Sequence, residues 1–484
     1  MIRRMWRVCW LGVVFSGALG LSCTKHNPAS CCANEQQCFD LGLSQVYACT
    51  GTEICTADGT CVQPQCSVAT DCAGSSRFCI NHLCTDACAS NMDCDGDAAH
   101  PMCEADGSCG ACIDSSSCSV GTPICDPASH ECVGCMTSAD CVSHVCNLGT
   151  QTCADPAQFA YVSGTGSDTG ACNVEAPCRT IGYAYSELGA RNQIFIVGST
   201  YAAPATIVPG DGSVTITSEH ATVTGGDPIF QLPSGNATQL TLRALTIGAA
   251  GSSPRKSLAI AAGSIVLDDV KLEQPFAVSA GGTLAIGAST VDADGSTAGS
   301  TSITKSSVHG FVTGSGGTLL FDSDHFQSTS GKAFKDNGGT TATFKNSVFV
   351  GTQSGGPILT LVAPSRVSFC TMVGNYTPTG TAIDCSLETG AMTIDNDVFA
   401  GLAMQACTTS TSLFSIGGYA SGTNIVGDVN TFFVDLAGAD FHLAATSPAL
   451  HLAASGSTGV DLEGTARPTP ANSMADVGAY ESPN

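Results

Sequence analysis

Beyond the Ala154-Asp155-Pro156-Ala157 junction the chain repeats one short frame: apolar, any, apolar, then a few small or polar residues. The frame runs through Leu240-x-Leu242, Ile265-x-Leu267, Leu284-x-Ile286, Thr301-x-Ile303, Leu319-x-Phe321, Ala342-x-Phe344, Val367-x-Phe369 and Met392-x-Ile394. Its second position recurs at intervals of 25, 19, 17, 18, 23, 25 and 25 residues, and Ile194-x-Ile196 and Val214-x-Ile216 extend it upstream. Three alternating residues are too few for a strand that stands alone, but stacked coil on coil they build continuous parallel sheets around an apolar column. A sandwich would need tight hairpins and longer strands every ~8–12 residues, and that pattern is missing. The frame therefore predicts an all-β solenoid over 154–415, with further coils and a cap in 416–484. Open solenoid ends need covers. Thr180 to Ala190 supplies one as a short amphipathic helix, with Ile181, Ala184, Tyr185 and Leu188 on one face and Gly189 as its stop.

Upstream of the junction cysteine sets the pattern: 24 of the 29 cysteines precede residue 154. An irregular segment, 23–65, leads into four modules of four cysteines over 66–153, starting at Cys66, Cys88, Cys112 and Cys135. In each module the first two cysteines enclose five residues, and Asp71, Asp93 and Asp140 precede the second cysteine in three of them. A unit of about 20 residues cannot bury enough apolar surface to offset chain entropy, so covalent cross-links must hold it. Zinc is the rival, through Cys109-x-x-Cys112 and Cys132-x-x-Cys135. That spacing falls between modules, histidine is scarce within them, and disulfides are the reading adopted. The spacing and the Asp-Cys step resemble the repeat named after the N-terminal region of Dickkopf proteins. The resemblance implies a disulfide-stapled spacer or interaction module and brings no catalytic residues.

Residues 1–22 read as an export signal: Arg3, Arg4 and Arg7 precede an uncharged apolar run, Val8 to Leu21, too short to span a membrane. Leu19-Gly20-Leu21-Ser22-Cys23 resembles the lipobox of bacterial lipoproteins, which implies acylation of Cys23. Gly20 stands where that family prefers a Leu-like residue, so ordinary secretory cleavage near Ala18-Leu19-Gly20 is the other reading. The 22 cysteines from Cys31 to Cys153 can pair completely and leave Cys23 over. The expected location is the outer membrane or cell surface, or the medium if Cys23 is not acylated. With 17 Lys+Arg against 41 Asp+Glu the formal charge is −24, which argues against nucleic acid and leaves a lipid anchor as the only membrane contact. A monomer is expected.

The opening Tyr161-Val162-Ser163, Gly166-x-Asp168, Pro177-Cys178-Arg179-Thr180-Ile181, Ile194-x-Ile196-Val197 and Tyr201 resembles the N-terminal cap and first coil of pectate-lyase-like right-handed parallel β-helix proteins. Phe441-His442-Leu443, Ser447-Pro448-Ala449-Leu450, Asp461-x-x-Gly464-x-x-Arg467 and Asp476-Val477-Gly478-Ala479-Tyr480-Glu481 resemble that family's ending. The resemblance brackets 159–481 and implies the fold; the family spans lyases, hydrolases and adhesins, so it leaves the activity open. Lyases of that kind use a carboxylate-bound calcium and a Lys or Arg base, and the hydrolases use clustered aspartates. One position past the frame stand Arg243, Asp268, Gly287, Thr304, Asp322, Lys345, Cys370 and Asp395, which puts the aspartates three coils, about 14 Å, apart. They cannot share one ion. The densest ionisable patch, Lys305, Asp322, Asp324, His325 and Lys345, falls on three neighbouring coils and is the candidate site, against the alternative of a solvated face with ordinary ion pairs. No cofactor is required. Calcium alone is left open, through this resemblance and the Asp93, Asp95 and Asp97 run, which lacks EF-hand spacing. Cys172 pairs with Cys178, and Cys385 with Cys407, in this reading. A polysaccharide or a surface protein is the expected partner, and a lyase or hydrolase acting on acidic polysaccharide is the alternative function.

Overall fold

The computed structural model describes residues 7–9, 23–25, 54–55, 60–64, 78–80, 83–85, 88, 91–94, 102–103 and 107, then 109–482 apart from short gaps at 120, 128–129, 148–149, 211, 236, 250–254, 328–329, 352–355, 375–379, 417–422, 455–456 and 472. The chain divides into two compact units, Met1–Ala154 and Asp155–Asn484. In the first, the third and fourth cysteines of three modules face each other on two-residue antiparallel strands: Cys103 and Cys109, Cys125 and Cys132, Cys146 and Cys153. Each is bonded to one of the first two cysteines. The pairs are Cys88–Cys103 with Cys94–Cys109, Cys112–Cys125 with Cys118–Cys132, and Cys135–Cys146 with Cys141–Cys153. Each of these three modules thus bonds first to third and second to fourth, and each cross-link restrains the unfolded chain by about 3 kcal/mol. The Asp-Cys step has a local cause. Asp140 accepts from the Met136 and Thr137 amides at 2.9 and 2.7 Å and so caps the 3₁₀ turn Ser138–Asp140 that delivers Cys141. Cys23 and the disulfides of the module starting at Cys66 lie outside the described side chains.

The second unit is a parallel β-solenoid of three sheets. The first sheet runs from Phe159–Val162 and Gln193–Ile196 to Arg366–Ser368 and Thr393–Asp395. The second passes through Thr200–Ala203 and Thr371–Val373 to Ile425–Val426, and the third through Phe230–Leu232 and Val312–Gly314 to Leu402–Gln405. Inside the first sheet Ile216, Leu242, Leu267, Ile286, Ile303, Phe321, Phe344, Val367 and Ile394 stack in register, all buried. Two steps of the predicted frame slip. Val367, not Phe369, aligns with Phe344 and Ile394, and Ile194, not Ile196, aligns with Ile216. In each segment a second apolar residue stands two places on, so alternation alone fits either register. The strands also continue past 415, to Val426.

The corner between the first and second sheets fixes the coils. One residue per coil, Ala244, Asp269, Ala288, Lys305, Ser323, Asn346, Phe369, Asn396 and Thr411, adopts a left-handed backbone with φ between 47° and 61°. Leu245 and Val270 follow it in the first two of these coils; from Ala288 onward the residue that follows it is Ser289, Ser306, Asp324, Ser347, Cys370, Asp397 or Ser412, and these stack as a buried column. Each accepts the amide N–H of the preceding coil: Ser289 to Ser306 Oγ at 3.2 Å, Ser306 to Asp324 Oδ1 at 2.9 Å, Asp324 to Ser347 Oγ at 3.1 Å, Cys370 to Asp397 Oδ1 at 2.7 Å, and Asp397 to Ser412 Oγ at 3.2 Å. The serine hydroxyls in turn donate to the carbonyl two residues back, as Ser306 does to Thr304 at 2.8 Å and Ser347 to Lys345 at 2.7 Å. This column corrects two expectations. Asp324 belongs to the interior of the corner, not to a lateral face, and Ser368, not Cys370, stacks with Lys345 and Asp395. Cys370 is a buried free thiol.

At the front, the helix α1, Ile181–Ser186, is shorter than the expected 180–190. Thr180 caps it by accepting the Tyr183 amide, Ile181 and Ala184 face the core, and the chain turns at Gly189 with φ +59°. Cys172 and Cys178 are bonded beside it, as are Cys385 and Cys407 at the far end.

Two outcomes test the column. In denaturant titrations Cys370→Ser is expected to stay within about 1 kcal/mol of the wild type, because a hydroxyl repeats what the other coils do, whereas Cys370→Val strands an amide at a cost of about 1–3 kcal/mol. Burial pushes the Asp324 carboxyl up to about 8. The folded chain therefore keeps a proton that the unfolded chain releases above about pH 4, so this residue's contribution to stability is lost as pH rises from about 4 to 8. Thermal melts of Asp324→Ser should improve relative to the wild type as pH goes from 5 to 8; an unchanged difference would mean the carboxyl is not held protonated.

Candidate functional site

The outer face of the second sheet changes character along the stack. Thr290, Ser307 and His325 are its outward residues in the middle coils, followed by Val348, Thr371, Val398 and Leu413. From Val348 to Leu413 the strands are buried on both faces, with Thr371 the one polar outward residue among those named, and the ending of the chain covers the outer face. Phe432, Phe433, Phe441, Leu443, Ala449, Val477 and Ala479 pack there with Val373, Val398 and Leu413 in a cluster separate from the solenoid interior. The ending thus lies along the side of the stack, where its apolar residues find a matching face. Gly478 N–H bonds Asn396 O at 2.8 Å, Ala479 N–H bonds Thr371 Oγ1 at 2.9 Å, and Ala454 N–H bonds Asn396 Oδ1 at 2.9 Å.

A buried polar knot locks this ending. Arg467 donates to Glu481 Oε2 at 3.1 Å and to the carbonyls of Asp476 and Gly478, and lies 4.5 Å over the Phe369 ring. Asp461 accepts from the amides of Glu463, Thr465 and Glu481, and Asp476 from those of His451 and Ser482. The knot holds a hairpin, Gly459–Val460 with Ala466–Arg467, against the solenoid. A crevice opens on either side of it. One, about 570 Å³, is lined by Asp322, Lys345, Asn346, Arg366, Ser368, Val460 and other residues. The second, about 460 Å³, is lined by Lys305, Ser307, Ser323, His325, Glu463, Tyr480 and others.

Four of the five residues singled out in the sequence line these crevices, on adjacent coils. Lys345 pairs with Asp322 at 2.7 Å, and Asp322 Oδ1 also accepts from Ser323 Oγ and Asn346 Nδ2, each at 3.2 Å. Lys305 is exposed at its left-handed turn, and His325 is half-buried. Burial, with His309 nearby, holds the His325 imidazole below the usual range. Asp324 is the exception, turned into the corner beneath them. The sequence reading missed Arg366 and the contributions of Glu463 and Tyr480. Runs apolar at three successive positions, Val348-Phe349-Val350 and Val398-Phe399-Ala400, carry the signal of a strand covered on both faces and could have located the ending.

The carboxylates of the first sheet are individually paired: Asp268 with Arg243 at 2.6 Å, Asp322 with Lys345, and Asp395 with Arg366 at 3.6 Å. Among the described residues, groups of three or more potential metal ligands occur only as the cysteines of the three bonded modules. Asp95 and Asp97 lie outside the described residues. The arrangement is suited to holding a ligand by charge and hydrogen bonds.

No family model matches the sequence, and no curated protein matches it. Among solved structures, a crystal structure of pectate lyase Pel9A aligns at 14% identity over 67% of this chain and 96% of that chain, with a TM-score of 0.42. The parallel ladders establish the solenoid independently of that likeness.

Removing the centre of the knot should be costly. Arg467→Ala leaves the Glu481 carboxylate buried without its cation, and denaturant titration should register a loss of about 3–5 kcal/mol, with proteolysis within 429–482 preceding that of the solenoid.

Proposed function

We propose that the chain is an exported cell-surface protein, acylated at Cys23, whose solenoid binds an acidic glycan in the crevices beside the 459–467 hairpin, on a disulfide-stapled stalk. The disulfides are those of a protein that folds in an oxidising compartment, and no helix among the described residues is long and apolar enough to cross a membrane. One observation carries the glycan reading. In a chain with 17 basic and 41 acidic residues, Lys305, Lys345, Arg366 and Arg467 line the two crevices against three acids, Asp322, Asp461 and Glu463. Local positive charge on a strongly acidic protein selects an anionic ligand over the protein's own surface. The crevices lie on either side of the hairpin, which suits an extended chain more than a compact molecule.

Calorimetry of the mature chain against acidic and neutral polysaccharides, with and without calcium, tests this. Acidic chains should bind and neutral ones should not, and Lys345→Glu with Arg366→Glu should weaken binding at least about tenfold, near 1.4 kcal/mol. Unsaturated-uronate absorbance and reducing ends are followed in the same samples; turnover would replace binding with cleavage as the function. Cys23→Ala should release the protein from membranes to the medium, and retention would refute acylation there.

A further inference from the structure

The smaller crevice differs from its surroundings in how its polar groups are engaged. Neighbouring basic side chains are paired within the protein: Lys271 with Glu273 at 2.6 Å and Asp292 at 3.3 Å, His309 with Asp292 at 2.6 Å, and Lys345 with Asp322. Its own acids are also engaged. Asp461 accepts three backbone amides, and Glu463 faces His442 Nε2 at 3.2 Å, whose Nδ1 meets Asp440 at 2.6 Å. Lys305, Ser307, His325 and Tyr480 line the same crevice, and their side chains make no hydrogen bond or ion pair within the described protein. The crevice therefore presents unengaged donors opposite engaged acceptors, which selects an anion.

Placement narrows the anion further. Lys305 and Ser307 come from one coil, His325 from the next, in register with Ser307, and Tyr480 from the ending that forms the opposite wall. Donors that approach from separate walls match an acceptor with oxygens in three directions better than a planar carboxylate with two. We propose that Lys305, Ser307, His325 and Tyr480 form a subsite for a tetrahedral oxyanion, a sulfate or phosphate ester carried on a sugar. The sugar as carrier rests on the glycan reading above; the oxyanion rests on the crevice alone.

The test uses the full mature chain at constant ionic strength, titrated by calorimetry with inorganic sulfate, inorganic phosphate, galactose 6-sulfate, galactose 6-phosphate and galacturonate. The tetrahedral anions should bind at least tenfold more tightly than galacturonate, and the sugar esters should show which source fits. Lys305→Met and His325→Gln should each lower sulfate affinity about tenfold, and Lys335→Met, exposed on the third sheet, should leave it unchanged. Sulfate does not titrate near neutrality, so an affinity that falls as pH rises reports His325, which shares the crevice with Lys305, Asp461, Glu463 and Tyr480 and has His309 nearby; His325→Gln should flatten that dependence. Galacturonate binding equal to sulfate, or full affinity in folded Lys305→Met, would overturn the subsite. Oxyanion binding without polysaccharide binding would instead refute only the glycan reading.

Discussion

In a stack of parallel coils, the strand hydrogen bonds run between coils and none within one, so each coil is held only if it returns to the register of its neighbour. The corner between the first and second sheets is where that requirement is hardest to meet. A left-handed residue turns the chain, and the amide after it points along the stack with no strand partner. The buried column of serine, cysteine and aspartate answers it, each side chain accepting the amide of the coil before. The candidate crevices and the docked ending both depend on this corner, since Lys305 and Asn346 sit at its turns and Asn396 anchors the ending from another.

The fold was legible because its interior demands the same thing of every coil. Leu242, Leu267, Ile286, Ile303, Phe321 and Phe344 read correctly since no large apolar residue stands two places past any of them. Val367 did not, because Phe369 two places on is also apolar and only its stacking beneath Arg467 distinguishes it. Asp324 was misplaced for a related reason. A lone aspartate beside Asp322 and His325 reads as surface charge, and its role emerges only when Ser306 and Ser347 are seen to occupy the same slot in adjacent coils. The crevices were half legible. The solenoid side could be placed from periodicity, but the opposite wall comes from the distant 458–480 segment, brought back by the apolar outer face of the second sheet.

That return also explains why the polar residues of the ending are so heavily interlinked. Irregular chain laid on a sheet has no ladder to satisfy its amides, and Asp461, Asp476 and Glu481 take the place of one. The knot is thus the counterpart, in irregular structure, of the column at the corner: buried side chains used as backbone acceptors.

The disulfides of the first unit have a different consequence. In all three described pairs of bonds both partners lie within one four-cysteine module, so a module can be duplicated or deleted whole without orphaning a thiol. A region built this way is therefore free to vary in length over generations in steps of one module, each described module closing on its own cysteines.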